Sequence, residues 1–315
     1  MRAVILDAKT LGDDISLKPI SDITELVTYP VTAPEEIPAR IRDAEIVIVN
    51  KIRLNESNLP YAPNLRLICV AATGFDNIDT EYCKKNNIAV CNVSGYSTHS
   101  VAQLTVSLVL SLMMHLPDFT EFVRSGAYSE SGVANRLYPA FHELYGKTWG
   151  IVGAGNIGGQ VARIADAFGC RVLVCRRQKD PHYTTVDIDT LCRESDIITL
   201  HTPLNDGTRH LISENRIASM KDGVILVNAA RGAVTDEKAV ADAVIRGKIG
   251  GMGCDVYSTE PMDKNHPFYA LRNHPSVCLT PHMAWGAVEA RQRCIEEIGE
   301  NIRAFSGGES RSRVV

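Results

Sequence analysis

The chain has 315 residues, too many for one small core and enough for two domains. Its net charge of -4 creates no strong field to draw in nucleic acid or acidic lipid, and no run approaches the ~18 apolar residues of a membrane helix. Nine cysteines are scattered without a C-x-x-C pair, which reads as reduced, buried thiols of a cytoplasmic protein rather than a disulfide framework or a metal site.

The first residues, "MRAVILDAKTLGDD", turn acidic quickly and read as a first strand, not a signal peptide. From there strand-like runs alternate with helical patterns. The predicted strands are Ala3–Leu6, Ile46–Val49, Leu67–Ala71, Ala89–Asn92, Thr148–Val152, Arg171–Cys175, Ile197–Leu200, Val224–Asn228, Gly251–Asp255 and Val277–Leu279. Many are unbroken Val/Ile/Leu runs, the pattern of parallel strands buried on both faces, and the alternation predicts an α/β, doubly wound architecture. Between the first four strands and the rest runs "STHSVAQLTVSLVLSLMMHL", a helix apolar on nearly all sides and therefore deeply buried. Near the other end, "WGAVEARQRCIEEIGENIRAFSGG" is a long amphipathic helix that stops at Gly307-Gly308. Taken as crossings between domains, these two helices predict a first domain of residues 1–98 plus 286–315 and an inserted domain of residues 99–285. Residues 119–146 read as irregular and rich in aromatic side chains.

Near the middle of the chain, within the inserted domain, stands "WGIVGAGNIGG". Here Gly153 permits a tight turn, Gly155 lets the backbone approach a pyrophosphate, and Gly158 allows close packing of the helix that follows. G-x-G-x-x-G is weak alone, but this one follows a strand and opens a helix, as a dinucleotide site requires. An NAD site places an acid about 20 residues on, bonded to the ribose 2′-hydroxyl. This chain has Arg176 and Arg177 there, with Asp180 further out. Guanidinium groups suit the 2′-phosphate of NADP, so NADP is the expected cofactor; the alternative is a solvated strand end with NAD bound without an acid. Three later strand ends bring Arg231, then Asp255 and Glu260, then His282. In doubly wound sheets ligands lie beyond the carboxyl ends of the strands, so these side chains are expected to face one crevice.

Together, "ATGFDNID", "GYSTHSVAQLT", "GIVGAGNIG", "HTPLNDGTRHLI", "NAARG", "DVYSTEP" and "TPHMAW" resemble the D-isomer-specific 2-hydroxyacid dehydrogenase family in order and spacing over nearly the whole chain. The resemblance implies two doubly wound parallel-sheet domains, a Rossmann-type nucleotide domain inserted into a smaller flavodoxin-like one. It also implies transfer of a hydride between NAD(P)H and a small 2-keto or 2-hydroxy acid, with Arg231, Glu260 and His282 as the catalytic residues. The chemistry suits them: Arg231 can grip a carboxylate and polarise a ketone, His282 can protonate the alkoxide, and Glu260 can keep the imidazole charged and oriented. By the same resemblance, cofactor contacts fall on Thr105, Gly153, Gly155, Asn156, Ile157, Gly158, His201, Thr202, Pro203, Thr208, Ala229, Ala230, Asp255 and Ala284, besides Arg231 and His282. Substrate contacts fall on the backbone of Thr73 and Gly74, on Lys51, and on Trp285. For Lys51, surface charge is the alternative; for Trp285, core packing.

Glu260 argues against the formate dehydrogenase branch, which is similar but has glutamine in that role. Phosphoglycerate dehydrogenases often add a regulatory domain beyond this length. "NK", "GYSTHSVAQ" and "PHMAW" look most like glycerate dehydrogenases (hydroxypyruvate reductases), so hydroxypyruvate, glyoxylate and D-glycerate are the expected substrates. Co-repressors that bind the dinucleotide and recruit protein partners also resemble this family and stand as the alternative function. The resemblance further implies a homodimer formed through the arm at 119–146, with a local core as the alternative.

Overall fold

Unbroken apolar runs such as "IVIV" at 46–49 and "LICV" at 67–70 become strands with every side chain buried. The computed structural model describes residues 1–315 and divides into two units, Met1–Ser97 with Trp285–Val315, and Thr98–Ala284.

The first unit holds a parallel sheet of β1 (Arg2–Ile5), β2 (Glu25–Thr28), β3 (Ile46–Val49), β4 (Leu67–Val70) and β5 (Ala89–Cys91), in the order β2-β1-β3-β4-β5. The chain leaves β1 toward β2 on one side and returns to β3 on the other, so the winding direction reverses at the carboxyl ends of β1 and β3. The predicted four strands are five. Strand β2 sits at the sheet edge with Glu25 and Thr28 exposed, so it lacks the apolar run that announces a buried strand. The helix Val288–Ser306 lies in this unit, buries Ala290, Cys294, Ile295, Ile298 and Ile302, and ends at Gly307 as expected.

The second unit holds a larger parallel sheet: β6 (Thr148–Val152), β7 (Arg171–Cys175), β8 (Thr184–Thr185), β9 (Ile197–Leu200), β10 (Val224–Asn228), β11 (Ile249–Cys254) and β12 (Val277–Leu279). Their order is β12-β11-β10-β9-β6-β7-β8, with the reversal between β6 and β9. Strand β8 is a two-residue edge strand that carries no hydrophobic signal. The predicted apolar helix is Thr98–Met114, and it lies wholly in this unit. It packs close because β11 is glycine-rich: a Cβ on Gly253 would come within 3.1 Å of Leu108 Cβ, and one on Gly251 within 3.3 Å of Leu112 Cβ. No single helix is long and apolar enough to cross a membrane.

The segment 119–146 departs from the irregular course expected of it. Its start belongs to the helix Leu116–Arg124, and Ala127–Glu130 forms another turn. The aromatic content masked an amphipathic stretch in which Phe119 meets Phe141 edge-on at 5.8 Å and Phe122 meets Tyr128 at 6.4 Å. Beyond Glu130 the chain is irregular up to β6, and Leu137, Tyr138 and Tyr145 are each at least 75% exposed.

Candidate active site

The turn after β6 is shaped by its glycines. Gly153 has φ +90°, and a Cβ there would lie 2.7 Å from the carbonyl oxygen of His201 at the end of β9. A Cβ on Gly158 would fall 2.1 Å from Gly153 O, so the first helical turn rests directly on the loop. Gly155 is different: a Cβ there would meet nothing within 4 Å. This open position is the N-cap of the helix Asn156–Ala167, whose first turn has neither a side-chain cap nor an acid. Backbone N–H groups and a positive dipole end therefore face open space at the reversal of the sheet, and that fits a pyrophosphate. Asn156 is exposed and Ile157 half-buried beside it.

Loops at neighbouring strand ends complete this edge. After β7, Arg176 and Arg177 are both exposed. Asp180 does not stay further out, as its sequence position suggested. The loop folds back, and Asp180 Oδ2 lies 2.9 Å from Arg176 Nη1 while Oδ1 accepts from the N–H groups of His182 and Tyr183. Burial pushes this carboxyl up, but those two amides and the guanidinium outweigh it and hold the group below its ordinary value.

After β9, His201 Nε2 lies 3.0 Å from Thr199 Oγ1, which also accepts from Trp149 Nε1 at 3.1 Å. Indole N–H can only donate, so Thr199 Oγ1 is the acceptor of the Trp149 bond and shares its remaining capacity with the His201 ring. The residue as a whole is partly open, yet Nδ1 is dry and without a hydrogen-bond partner. Burial drives the pKa of this ring down to about 3, so it is neutral. Thr202 and Pro203 follow it. Thr208 Oγ1 donates to Pro203 O at 2.7 Å and accepts from Asn205 N, so this hydroxyl braces its own loop. Thr105 is fully buried, and its hydroxyl hydrogen goes to Val101 O within its own helix.

Strands β10, β11 and β12 are adjacent and parallel, so their carboxyl-end loops leave one edge of the sheet. After β10, the Asn228 side chain donates to Arg231 O and accepts from Ala230 N, which fixes Ala229, Ala230 and Arg231 in a tight turn. Arg231 Nη1 donates to Ala230 O at 2.8 Å. After β11, Asp255 is fully buried; its Oδ1 accepts from Thr280 Oγ1 and Met283 N, its Oδ2 from Ala284 N. Sequence reasoning gave Asp255 to the cofactor; here its oxygens grip the loop that carries His282. After β12, His282 stands with φ +52°. Its Nδ1 lies 2.6 Å from Glu260 Oε2, and Glu260 Oε1 accepts from Tyr257 N at 3.0 Å. A carboxylate only accepts, so Nδ1 carries the hydrogen of this bond and Nε2 is the ring's second nitrogen for proton exchange. The His282 side chain is 24% exposed, which leaves it reachable.

Tyr257 is a residue that sequence reasoning passed over. Its N–H holds Glu260 and its hydroxyl donates to Thr280 O at 2.9 Å, so it ties the loop of Glu260 to the loop of His282; burial pushes its phenol far up. The "DVYSTEP" motif contains it, but a tyrosine in a loop carries no signal of its own.

The remaining candidates belong to the first unit. Thr73 Oγ1 donates to Val93 O, so the loop of Thr73 and Gly74 offers its backbone. Lys51 is exposed, and its N–H donates to Asp7 Oδ2 at 2.7 Å. Asp7 also accepts from the amides of Asn50 and Ile52 and was missed from sequence. Trp285 is half-buried against the core of this unit, edge-on to Tyr96 at 6.5 Å.

An α/β sheet with an open glycine loop at its reversal and a histidine–carboxylate pair at its carboxyl edge defines a dinucleotide-binding oxidoreductase class. Residues 106–284 match the family described as D-isomer specific 2-hydroxyacid dehydrogenase, NAD binding domain. The chain is 34% identical to a glycerate dehydrogenase of Methylorubrum extorquens, covering 99% of this chain and 98% of that one, and 34% identical to a hydroxypyruvate reductase of Blautia hydrogenotrophica, covering 98% of each. It is similar to the crystal structure of a D-lactate dehydrogenase from Aquifex aeolicus complexed with NAD and lactic acid, with a TM-score of 0.85, 31% identity and coverage of 98% and 96%. The chain belongs to the D-isomer-specific 2-hydroxyacid dehydrogenase family. It is an oxidoreductase that uses a nicotinamide dinucleotide and acts on small 2-hydroxy and 2-keto acids.

Proposed function

We propose that the chain reduces hydroxypyruvate and glyoxylate, giving D-glycerate and glycolate, with Arg231, Glu260 and His282 at the reacting carbon. The observation that carries this reading is the 2.6 Å contact of His282 Nδ1 with Glu260 Oε2 at the carboxyl edge of the sheet. It fixes the ring so that Nε2 can hand a proton to the alkoxide as the ketone is reduced. Glu260 offsets the positive charge of the ring that donates. Arg231 offers a planar fork for the substrate carboxylate and the ketone oxygen. A bound nicotinamide supplies the hydride. The names of the glycerate dehydrogenase and hydroxypyruvate reductase relatives support this substrate class. The backbone of Thr73 and Gly74 and the Lys51 ammonium suit the carboxylate of a small, polar acid. The test is a panel of small 2-keto acids. Hydroxypyruvate or glyoxylate should give the highest kcat/KM; a higher value with pyruvate or a bulky keto acid overturns the substrate assignment.

The cofactor reading is NADP. Both oxygens of Asp180 are engaged by Arg176, His182 and Tyr183, so this acid is not turned toward a ribose hydroxyl. Arg176 and Arg177 are exposed cations suited to a 2′-phosphate. Kinetics should favour NADPH at least tenfold, and a tenfold preference for NADH reverses the assignment.

The enzyme works as a homodimer in the cytoplasm in this reading. Exposed apolar side chains, Leu137, Tyr138 and Tyr145 among them, lie along one arm, and nine unpaired cysteines suit a reducing compartment. Sedimentation at micromolar concentration should give twice the chain mass; a monomer removes the dimer.

A further inference from the structure

We infer that Glu237 is a positioning residue for the Glu260–His282 pair, a buried carboxylate that holds the Glu260 loop from beneath. This deepens the reading above and rests on it.

Glu237 opens the helix Glu237–Ile245, where an acid ordinarily serves the helix end. That task is already done: the Asp236 side chain accepts from Ala239 N. Glu237 is instead 8% exposed and turned to another loop. Its Oε1 accepts from Ser258 N at 2.8 Å and its Oε2 from Ser258 Oγ at 2.5 Å. His266 Nε2 lies 2.9 Å from Oε2, off the line of a straight hydrogen bond. His266 Nδ1 accepts from Phe268 N, so the ring hydrogen is on Nε2, on the Glu237 side. The ring is held edge-on between Tyr257 at 5.7 Å and Phe268 at 5.2 Å.

The location is what gives this cluster a function. A Cβ on Gly232 would fall 2.1 Å from Tyr257 C, 2.2 Å from Ser258 N and 2.7 Å from Glu237 Oε1. The residue after Arg231 is therefore laid on the Tyr257–Ser258 peptide, and the Glu237 carboxylate sits at that junction. From Ser258 the path to the reacting pair is short: Tyr257 N donates to Glu260 Oε1, and Glu260 Oε2 contacts His282. A buried carboxylate costs stability unless it is fully partnered, so a fold that needed only packing there is served better by an apolar side chain. A partnered one rigidifies the loops that meet on it. Glu237 thus sets the height of Glu260 against His282, and through Gly232 the seat of the Arg231 turn.

The test combines Glu237→Gln, Glu260→Gln and the double variant, assayed with hydroxypyruvate and saturating nicotinamide cofactor, with cofactor Kd measured by fluorescence. Glu260→Gln is expected to lower kcat by about 100-fold. Glu237→Gln should lower it by about tenfold with cofactor Kd unchanged, because small displacements of a catalytic group cost about one to two orders of magnitude. If Glu237 acts through Glu260, the double variant should be no slower than Glu260→Gln within about twofold. A packing control, Val244→Ala on the same helix, should keep kcat at a matched loss of Tm. Unchanged kcat in Glu237→Gln, full multiplicativity in the double variant, or an equal loss in the packing control each overturns the inference while leaving the Glu260 assignment intact. Full activity of Glu260→Gln overturns that assignment instead, and the inference with it. Should Glu237→Gln fail to fold, Ser258→Ala breaks the same tie from the loop side; about a threefold loss that vanishes in the Glu260→Gln background supports the inference, and no loss overturns it.

Discussion

The two units use one plan and finish it differently. Each has a parallel sheet whose winding reverses near its first strand, at β1/β3 in one and β6/β9 in the other. At the second reversal, Gly155 leaves open backbone and a helix start that lacks any side-chain cap. At the first, the amides that follow β3, those of Asn50, Lys51 and Ile52, are filled by the carboxylate of Asp7, which follows β1. The same end of the same kind of sheet can thus receive an anion from outside or supply one from its own chain. Only the former is equipped to take a pyrophosphate, and the latter spends its amides on holding a loop.

The largest effect expected within this contrast is on the residue proposed to carry the chemistry. His282→Asn should cut kcat on the order of 1,000-fold with cofactor Kd unchanged; activity within a few-fold of the parent would remove His282 from the mechanism. The next separates the two reversals. Gly155→Ala puts a methyl where the structure has open space, so it should leave Tm within about 1 °C yet raise the cofactor Kd about tenfold, since the methyl blocks a backbone approach. A cofactor Kd that does not move would mean the open side of Gly155 is not where the dinucleotide lies. Asp7→Asn should do the reverse: raise KM for the keto acid about threefold by loosening the Lys51 loop, with cofactor Kd unchanged. A change confined to the cofactor would break the comparison.

The smallest effect concerns pH. The folded His201 ring titrates at about 3, against 6.5 when unfolded. Between those values the unfolded chain holds a proton that the fold refuses, so this ring's contribution to stability is present above pH 6.5 and is lost as pH falls toward 3. The slope is at most about 1.4 kcal/mol per pH unit. His201→Asn should flatten the fall of Tm over that window; an unchanged slope would show that the ring takes up its proton without unfolding.

What could be read in advance follows what each residue's role leaves in the linear pattern. Buried parallel strands announce themselves because both faces need apolar side chains, hence "IVIV" and "VILVN". Edge strands β2 and β8 have an exposed face or are too short, and they were invisible. Gly153 and Gly158 were legible because their spacing reflects one turn geometry. Arg231, Glu260 and His282 could be put at strand ends from the pattern, but their roles came through resemblance, since a single Arg, Glu or His has no spacing to betray its task. The Arg176–Asp180 pair, the Asp7 amide cradle and the Glu237 cluster were hidden for a shared reason: each depends on a loop folding back onto a partner whose distance in the chain says nothing about distance in space.

The left-handed backbone of His282 narrows what this position can become. L-residues with a branched Cβ are excluded there by sterics, and His, Asn, Asp and Gly are the types that tolerate it. A threonine or valine would have to drag the loop away from Asp255 to fit. Variation at this position is therefore confined to a few small or planar side chains, and of these only His and Asp carry an acid–base group.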